Sequence, residues 1–244
     1  FAHRQQGEGV GCVAEAHALL GQTEAARGRL PEAISELRGA LAIKQDRADW
    51  YAQLGDALSK QKDFTGAIEA YRQSQNLNPQ DTATGYSLGY VLQTTGQLDD
   101  AARAFEHVVK LNPNYTNAHY NLGIIKQKQK DLPGAEAEFK RVLALNPNDG
   151  QAYINLGRTL LLQGDLNQAV GFYRHGLSIE PTDPAAFQEL GAALVKLKDY
   201  VGARSALESA LGLAPNDRGA IISIANLESL EGTPSKASMT PHPC

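Results

Sequence analysis

A proline recurs every 34 residues along most of this chain, and the spacing never changes. A common skeleton precedes it: a Leu-Gly pair, an alanine twelve residues after the glycine and, in most repeats, an aromatic residue four positions later. The five prolines are Pro79, Pro113, Pro147, Pro181 and Pro215. A fixed period of about 20 to 50 residues is typical of solenoid proteins, in which each repeat contacts only its neighbours. The period therefore argues against a fold built around one central core.

Each repeat contains two amphipathic stretches, and each stretch is about as long as one α-helix. In the fifth repeat the first stretch places apolar residues or glycine at i, i+3, i+4 and i+7, which is the spacing of one helix face. These positions are Tyr153, Leu156, Gly157 and Leu160. Polar segments with glycine or proline, at 163–166 and 146–149, separate the stretches and interrupt helices. Each repeat is therefore predicted to be an antiparallel helix pair.

The period divides the whole chain into predicted segments of an all-α solenoid. An irregular N-terminal lead is expected at 1–13, where three glycines occur, and a Pro/Ser/Thr-rich tail at 232–244. A capping helix is predicted at 218–231, with Ile221, Ile224 and Ala225 on its apolar face. The six repeats between lead and cap are 14–47, 48–81, 82–115, 116–149, 150–183 and 184–217.

The skeleton resembles that of the tetratricopeptide repeat family, whose pattern is W-x2-L-G-x2-Y…A-x3-F…P. In the second repeat the matching residues are Tyr51, Leu54, Gly55, Leu58, Ala67, Tyr71 and Pro79. Glycine inside a helix costs about 1 kcal/mol relative to alanine, so its recurrence indicates that a side chain there would prevent close packing. The glycine and the alanine are therefore expected to allow the two helices to pack closely. The resemblance covers residues 14–217. It implies an α-α superhelix of six helix pairs plus the capping helix.

The resemblance also implies a peptide-binding groove on the inner surface, lined by the first helix of each pair. In the fifth repeat a rotation of about 100° per residue places Asn155 and Arg158 opposite the core positions. Ile154, like two tyrosines of earlier repeats, is expected beside this face. The middle of the groove is predicted to hold Tyr86, Tyr90, Tyr120, Asn121, Ile124, Asn155 and Arg158. Tyrosines offer rigid contact area, and asparagines can bond a peptide backbone. An ordinary hydrated helix surface is the alternative interpretation.

Two specialised members of the family offer partial matches. Some members hold the C-terminal carboxylate of a chaperone with Lys, Asn and Arg, but Glu189 stands where such a clamp needs a cation. A carboxylate there would repel the ligand, so this clamp is not expected. Asn121 and Asn155, each directly before Leu-Gly, also resemble the repeat arrays of O-linked sugar transferases. That resemblance implies at most a substrate-docking arm.

Catalytic and nucleic-acid chemistry find little support in the residues. The net charge of −4 and pI of about 5.9 argue against nucleic acid, because nucleic-acid-binding domains usually carry a basic stripe. The six histidines lack metal-ligand spacing, and no phosphate loop or nucleophile elbow occurs. No apolar run reaches the length of a membrane span. We therefore expect neither an enzyme nor a cofactor, a metal site, a nucleic-acid partner or a membrane span.

Three terminal and surface features bear on the compartment and on assembly. Cys12 and Cys244 lie near opposite ends of the chain, so they are either two free thiols or the partners of an intermolecular disulfide. Asn114 begins an Asn-Tyr-Thr sequon, which matters only for an exported protein. The sequence starts at Phe1 rather than at a methionine, which leaves export open and the localisation undecided.

The leading functional hypothesis is a non-enzymatic scaffold that holds a partner peptide or segment in the groove. The first alternative is a structural protein whose copies stack end to end, because heterologous repeat contacts extend into fibres unless they close into rings. The second alternative is a docking arm of a larger enzyme or assembly complex. An RNA-reading helical repeat comes last, given the acidic balance of the chain.

Overall fold

The computed structural model describes the backbone of residues 2–232 and the side chains of residues 11–230. Within this part of the chain every regular element is an α-helix, so the predicted all-α class is confirmed. The thirteen helices are α1 Ala2–Ala26, α2 Leu30–Ile43, α3 Ala48–Lys60, α4 Phe64–Leu77, α5 Thr82–Thr94, α6 Leu98–Leu111, α7 Thr116–Lys128, α8 Leu132–Leu145, α9 Gly150–Gln163, α10 Leu166–Ile179, α11 Pro184–Lys196, α12 Tyr200–Leu213 and α13 Arg218–Gly232.

The chain forms two compact units, Phe1–Ile125 and Lys126–Cys244, with the boundary inside α7. In the first unit α1 packs on α2, α3 on α4 and α5 on α6. In the second unit α9 packs on α10 and α11 on α12. These are the helix pairs that the two amphipathic stretches of each repeat predict.

Close approach between paired helices depends on the glycine of the Leu-Gly pair. A Cβ atom built on Gly55 would lie 2.6 Å from the ring of Tyr71, and one on Gly89 would lie 2.7 Å from the ring of Phe105. Real Cβ atoms do not come that close to ring carbons, so a side chain at either position would push the helices apart. These glycines therefore lower the intrinsic helix propensity but allow the paired helices to pack closely, as the sequence predicts.

Aspartates set the start of most second helices. Asp63, for example, accepts a hydrogen bond from the backbone N–H of Gly66, three residues into the helix. Such an N-cap satisfies one of the N–H groups that a helix leaves unpaired and stabilises it by about 1 kcal/mol. The same cap recurs at Asp131, Asp165 and Asp199. The helix starts are thus fixed locally, independently of packing between repeats.

The turn inside each repeat requires one residue in the left-handed conformation. Gly28, Gly96 and Gly164 occupy it in three repeats, with φ between 78° and 91°. Lysines occupy the same place in the other three, with φ between 62° and 67°, at Lys62, Lys130 and Lys198. In the second repeat the N–H of Asp63 bonds the carbonyl of Leu58 at 2.9 Å, which is the Schellman pattern that ends a helix. Only glycine adopts this conformation without a steric cost.

Replacing one of these lysines with glycine is therefore expected to stabilise the protein. Lys62→Gly removes a left-handed strain and should raise the free energy of unfolding by about 1 kcal/mol. Lys110→Gly, in the last turn of α6, serves as the matched control and should lower it by up to about 1 kcal/mol. Urea denaturation followed by circular dichroism measures both. A loss of stability in Lys62→Gly would show that the lysine side chain does more for the fold than its backbone costs.

The N-terminal segment differs from the prediction. The irregular lead expected at 1–13 is helical from Ala2, as part of α1. Gly7, Gly9 and Gly11 lower helix propensity, but each costs only about 1 kcal/mol, and no proline interrupts the segment. The helix that begins inside the first repeat therefore continues toward the N-terminus.

The last helix lies where the capping helix is predicted, but it buries a different face. Ala220 and Leu227 are fully buried, whereas Ile221 is 47% exposed and Ala225 is exposed. One repeat earlier, Gly191 corresponds to Ala225 and packs against the second helix of its own pair. Within the described chain no second helix follows α13, so the face that it would cover stays open. The predicted apolar face of the cap was therefore wrong in detail.

Candidate functional site

The structure divides the seven predicted groove residues between the two units. Tyr86 and Tyr90 lie on α5, and Tyr120, Asn121 and Ile124 lie on the part of α7 that belongs to the first unit. Asn155 and Arg158 lie on α9 of the second unit. Each group occupies first helices only, as the repeat frame requires.

Asn121 is held in a fixed orientation in the first unit. Its Nδ2 donates to the hydroxyl oxygen of Tyr86 at 3.1 Å and to the backbone carbonyl of Asn117 at 2.9 Å. Both amide protons are therefore used. The side-chain oxygen of Asn121 has no donor among the side chains and backbone groups that the structure describes. Asn121 consequently presents an acceptor, which is the group that a peptide N–H needs.

Tyr86 and Tyr90 play different parts beside it. Tyr86 is half-buried, with its ring centroid 5.2 Å from that of Tyr115 and 5.5 Å from that of Phe105. Burial raises the pKa of the Tyr86 hydroxyl, so the group stays neutral at physiological pH. Tyr90 is 54% exposed. Tyr86 thus fixes Asn121, and the Tyr90 ring is open to solvent.

Tyr120 and Ile124 are both partly exposed on α7. Ile124 follows Asn121 by three residues, so its side chain lies near Asn121 on the helix surface, whereas Tyr120 precedes Asn121 by one residue and is rotated about 100° around the helix. Their participation in binding stays a prediction.

In the second unit the predicted residues belong to a polar network. The Nε atom of Arg158 lies 2.9 Å from both carboxylate oxygens of Glu189, and its Nη1 donates to the Asn155 side-chain oxygen at 3.0 Å. The hydroxyl of Tyr173 donates to Glu189 at 2.7 Å. The network joins α9, α10 and α11. It therefore links two neighbouring repeats of this unit.

The ionisation of the network follows from burial and charge. Burial lowers the pKa of Arg158, but the hydrogen bond to Glu189 and its negative charge outweigh this, so the net pKa is raised. For Tyr173, burial and the adjacent Glu189 carboxylate both raise the pKa well above its ordinary value. At neutral pH the network therefore consists of an ion pair and a neutral tyrosine.

Two expectations for the second unit were wrong in their geometry. Asn155, expected on the open face, is only 6% exposed, and Ile154, expected beside that face, is fully buried. A Cβ built on Gly176 of α10 would lie 2.9 Å from the Ile154 side chain, so the second helix of the repeat covers this position. The rotation of one helix cannot show where its neighbours lie, which is why the sequence misplaced both residues.

Matches to family models identify the repeat family. A model described as Tetratricopeptide repeat matches residues 92–157, 126–194 and 160–223, which together span more than half of the chain. The chain belongs to the tetratricopeptide repeat family. Two further models with the same description match residues 48–81 and 14–38. The family resemblance read from the sequence is thereby confirmed. A comparison with curated proteins gave no significant match.

Solved tetratricopeptide repeat structures share the fold. YrrB, described as a TPR protein with an unusual peptide-binding site, is 21% identical, with a TM-score of 0.69 over 78% of this chain and 97% of that one. MamA is 27% identical, with a TM-score of 0.65 over 68% of this chain and 91% of that one. Pseudomonas aeruginosa pilF is 20% identical, with a TM-score of 0.69 over 89% of this chain and 99% of that one.

The structure forms a pocket on a part of the surface that lies outside the predicted middle of the groove. A cavity of about 300 Å³ lies between the first two repeats, lined among others by Gln22, Gln53, Asp56 and Lys60. Asp56 accepts a hydrogen bond from Tyr71 at 2.7 Å. The Gln53 side-chain oxygen is buried without a donor in the described chain. Gln53 and Asp56 share their repeat positions with Asn155 and Arg158, so the 34-residue register places them on the same predicted face, outside the middle of the groove.

The remaining predicted sites of this tetratricopeptide repeat protein lie on the surface or outside the described residues. Cys12 is an exposed free thiol, and Cys244 lies outside the described residues, so their pairing stays a prediction. Asn114 is exposed on the turn between α6 and α7, where a sequon is accessible. Within the described residues, no His, Cys, Asp and Glu cluster could hold a metal ion, and no helix is long and apolar enough to cross a membrane.

Proposed function

We propose that this tetratricopeptide repeat protein is a non-enzymatic scaffold that binds an extended peptide segment in its first unit. The binding surface, called the first-helix face, is the side of α5 and α7 that carries Tyr86, Tyr90 and Asn121. The observation that carries the proposal is Asn121. Its amide protons are both occupied by Tyr86 and the Asn117 carbonyl, so its side-chain oxygen is left to accept from a ligand N–H.

The neighbouring residues supply the other contacts that an extended peptide needs. Tyr90 presents a large ring with 54% of its surface exposed. Aromatic side chains of this kind often dominate binding energy, because they bury much area at little conformational cost. Toward the N-terminus of the same unit, Gln53 and Asp56 line a cavity of about 300 Å³ that can take a further part of the peptide. Similarity to the fold of YrrB, a peptide-binding TPR protein, is consistent with this use.

The second unit sets a condition on any ligand that uses Arg158. Because the guanidinium is already paired with Glu189, an acidic ligand has to displace that carboxylate before it gains the full charge interaction. We therefore assign Asn155 and Arg158 a secondary part in binding and the first unit the main one.

Selection from a random peptide library, followed by titration of the selected peptides, tests the proposal. The double variant Tyr90→Ala/Asn121→Ala should weaken binding by at least about tenfold, because one exposed aromatic contact and one acceptor are lost. Arg158→Ala, titrated alongside, should weaken it less.

Leu77→Ala provides the matched control, because Leu77 is a large side chain, 45% exposed, on the second helix α4. It should leave affinity unchanged. Selected peptides that bind wild type and the Tyr90/Asn121 double variant equally would remove the first-helix face of this unit from the function.

A further inference from the structure

A second cavity in the first unit lies away from the first-helix face. It has a volume of about 350 Å³ and is enclosed by Arg38 of α2, by Tyr51 and Leu58 of α3 and by Glu69 and Ala70 of α4. None of its lining residues is among the predicted groove residues. The volume is at the lower end of the ~300–1,000 Å³ usual for ligand sites, which is room for one large side chain.

A later repeat shows which group stacks on the tyrosine of this cavity. Tyr153 corresponds to Tyr51 three repeats later, and Phe172 corresponds to Ala70. In the later repeat the Phe172 ring stacks on Tyr153, with centroids 6.1 Å apart and an interplanar angle of 23°. In the earlier repeat Ala70 is too small to do this, and the Tyr51 ring has no aromatic partner among the described side chains. A cavity of about 460 Å³ remains beside Tyr153 and Phe172, so the Phe172 ring forms one wall of it. An aromatic side chain from outside can stack on the Tyr51 ring as Phe172 stacks on Tyr153.

The charged groups at the rim of the cavity indicate which residue should stand next to the aromatic residue in the ligand. Arg38 is exposed, and no described residue forms a hydrogen bond or ion pair with its side chain. Arg72, also at the cavity, is occupied by Asp100 at 3.0 Å. Glu69 is the remaining charge at the rim and is likewise unpaired within the described chain. An unpaired guanidinium beside an aromatic slot favours a carboxylate placed next to an aromatic ring.

We propose that this cavity is a second peptide-binding site, which takes an internal acidic-aromatic pair, Asp-Phe or Glu-Phe, of a partner protein. The phenylalanine ring packs on Tyr51 above Ala70, and the preceding carboxylate pairs with Arg38 at the rim. Because Arg38 is exposed, the carboxylate lies outside the aromatic slot, which fits a neighbouring acidic side chain better than a terminal carboxylate on the aromatic residue itself.

Titration of the full chain with blocked peptides tests the site. The probes are acetyl-Gly-Ser-Asp-Phe-Ser-Gly-amide, the same peptide with Asn for Asp, and acetyl-Gly-Ser-Gly-Phe with a free carboxylate. The Asp peptide should bind about threefold to fivefold more tightly than the Asn peptide, since an exposed ion pair with Arg38 contributes up to about 1 kcal/mol. If the free-carboxylate peptide binds as tightly as the Asp peptide, the commitment to an internal acidic residue is wrong.

Two variants test the aromatic contact and the charge contact separately. Ala70→Phe places a ring against Tyr51, as Phe172 does against Tyr153, and should weaken binding of all three peptides, with a circular dichroism spectrum recorded to check the fold. Arg38→Gln should weaken binding of the Asp peptide about threefold to fivefold and leave binding of the Asn peptide unaffected. Affinities that are the same in wild type, Ala70→Phe and Arg38→Gln would overturn the proposal.

A third variant gives the sign of the ligand charge. Glu69→Gln removes a rim carboxylate that repels an acidic ligand, so the Asp peptide should bind about twofold to threefold more tightly. Weaker binding in this variant would mean a cationic ligand and would contradict the assignment. The Tyr90→Ala/Asn121→Ala variant should leave binding of the Asp peptide unchanged, so failure of this site is distinguishable from failure of the first-helix face.

Discussion

Gly89→Ala is expected to lower the free energy of unfolding by about 2 kcal/mol, although alanine is the better helix former. The added Cβ would lie 2.7 Å from one carbon of the Phe105 ring and within 3.0 Å of two more. Phe105 is fully buried, so its ring cannot move aside without disturbing the core. The strain therefore exceeds the gain in helix propensity. Urea denaturation monitored by circular dichroism gives the difference directly.

Gly171→Ala is the matched control for that experiment. Gly171 lies within helix α10, and a Cβ added there would meet no atom within 4 Å. The substitution should therefore stabilise the protein by about 0.5–1 kcal/mol. Opposite signs for the two glycines are the expected result. Stabilisation in both would mean that the glycine of the Leu-Gly pair is not needed for helix packing.

Alkaline pH is expected to destabilise both units through one buried tyrosine in each. Tyr71 and Tyr173 are almost completely buried, and burial together with an adjacent carboxylate raises the pKa of each hydroxyl far above the ordinary value of about 10. The neutral hydroxyl is thus favoured by folding, while the unfolded chain releases its protons from about pH 10. Stability is fully present below pH 10 and falls above it by about 1.4 kcal/mol per pH unit for each tyrosine.

At pH 12 the expected loss is about 2–3 kcal/mol for each tyrosine. Denaturation curves between pH 8 and pH 12 measure it. The control is Tyr71→Phe/Tyr173→Phe, which is less stable at pH 8 because two hydrogen bonds are lost, but should depend less steeply on pH. The difference between wild type and control should therefore shrink as pH rises. Parallel curves for the two proteins would show that these hydroxyls are not protected by burial.

The repeat architecture was predictable because its signals are local and periodic. Leu54-Gly55 and Tyr71 stand at fixed offsets, and the contact between Gly55 and the Tyr71 ring follows from that spacing. Helix starts were equally accessible, since Asp63 caps α4 through a hydrogen bond within three residues. A constant period repeats such local relations, so one correct assignment predicts several others.

The candidate site was less predictable because it depends on contacts between neighbouring helices. Asn155 and Asn121 occupy the same repeat position, yet Asn155 is buried under an Arg158 ion pair and Asn121 keeps a free oxygen. The difference arises from Tyr86 in one case and from Glu189 in the other, each on a helix of the adjacent repeat. Side-chain partners across a repeat interface are set by the packed structure.

The sequence by itself determined the family, the helical class and the small residues that let helices pack closely, because each depends on residues within one 34-residue unit. The tertiary structure alone decided which polar groups remain available to a ligand and where a cavity opens beside Tyr51. Availability is what remains after neighbouring side chains have formed their own hydrogen bonds and ion pairs, and those choices are made only when the helices are packed together.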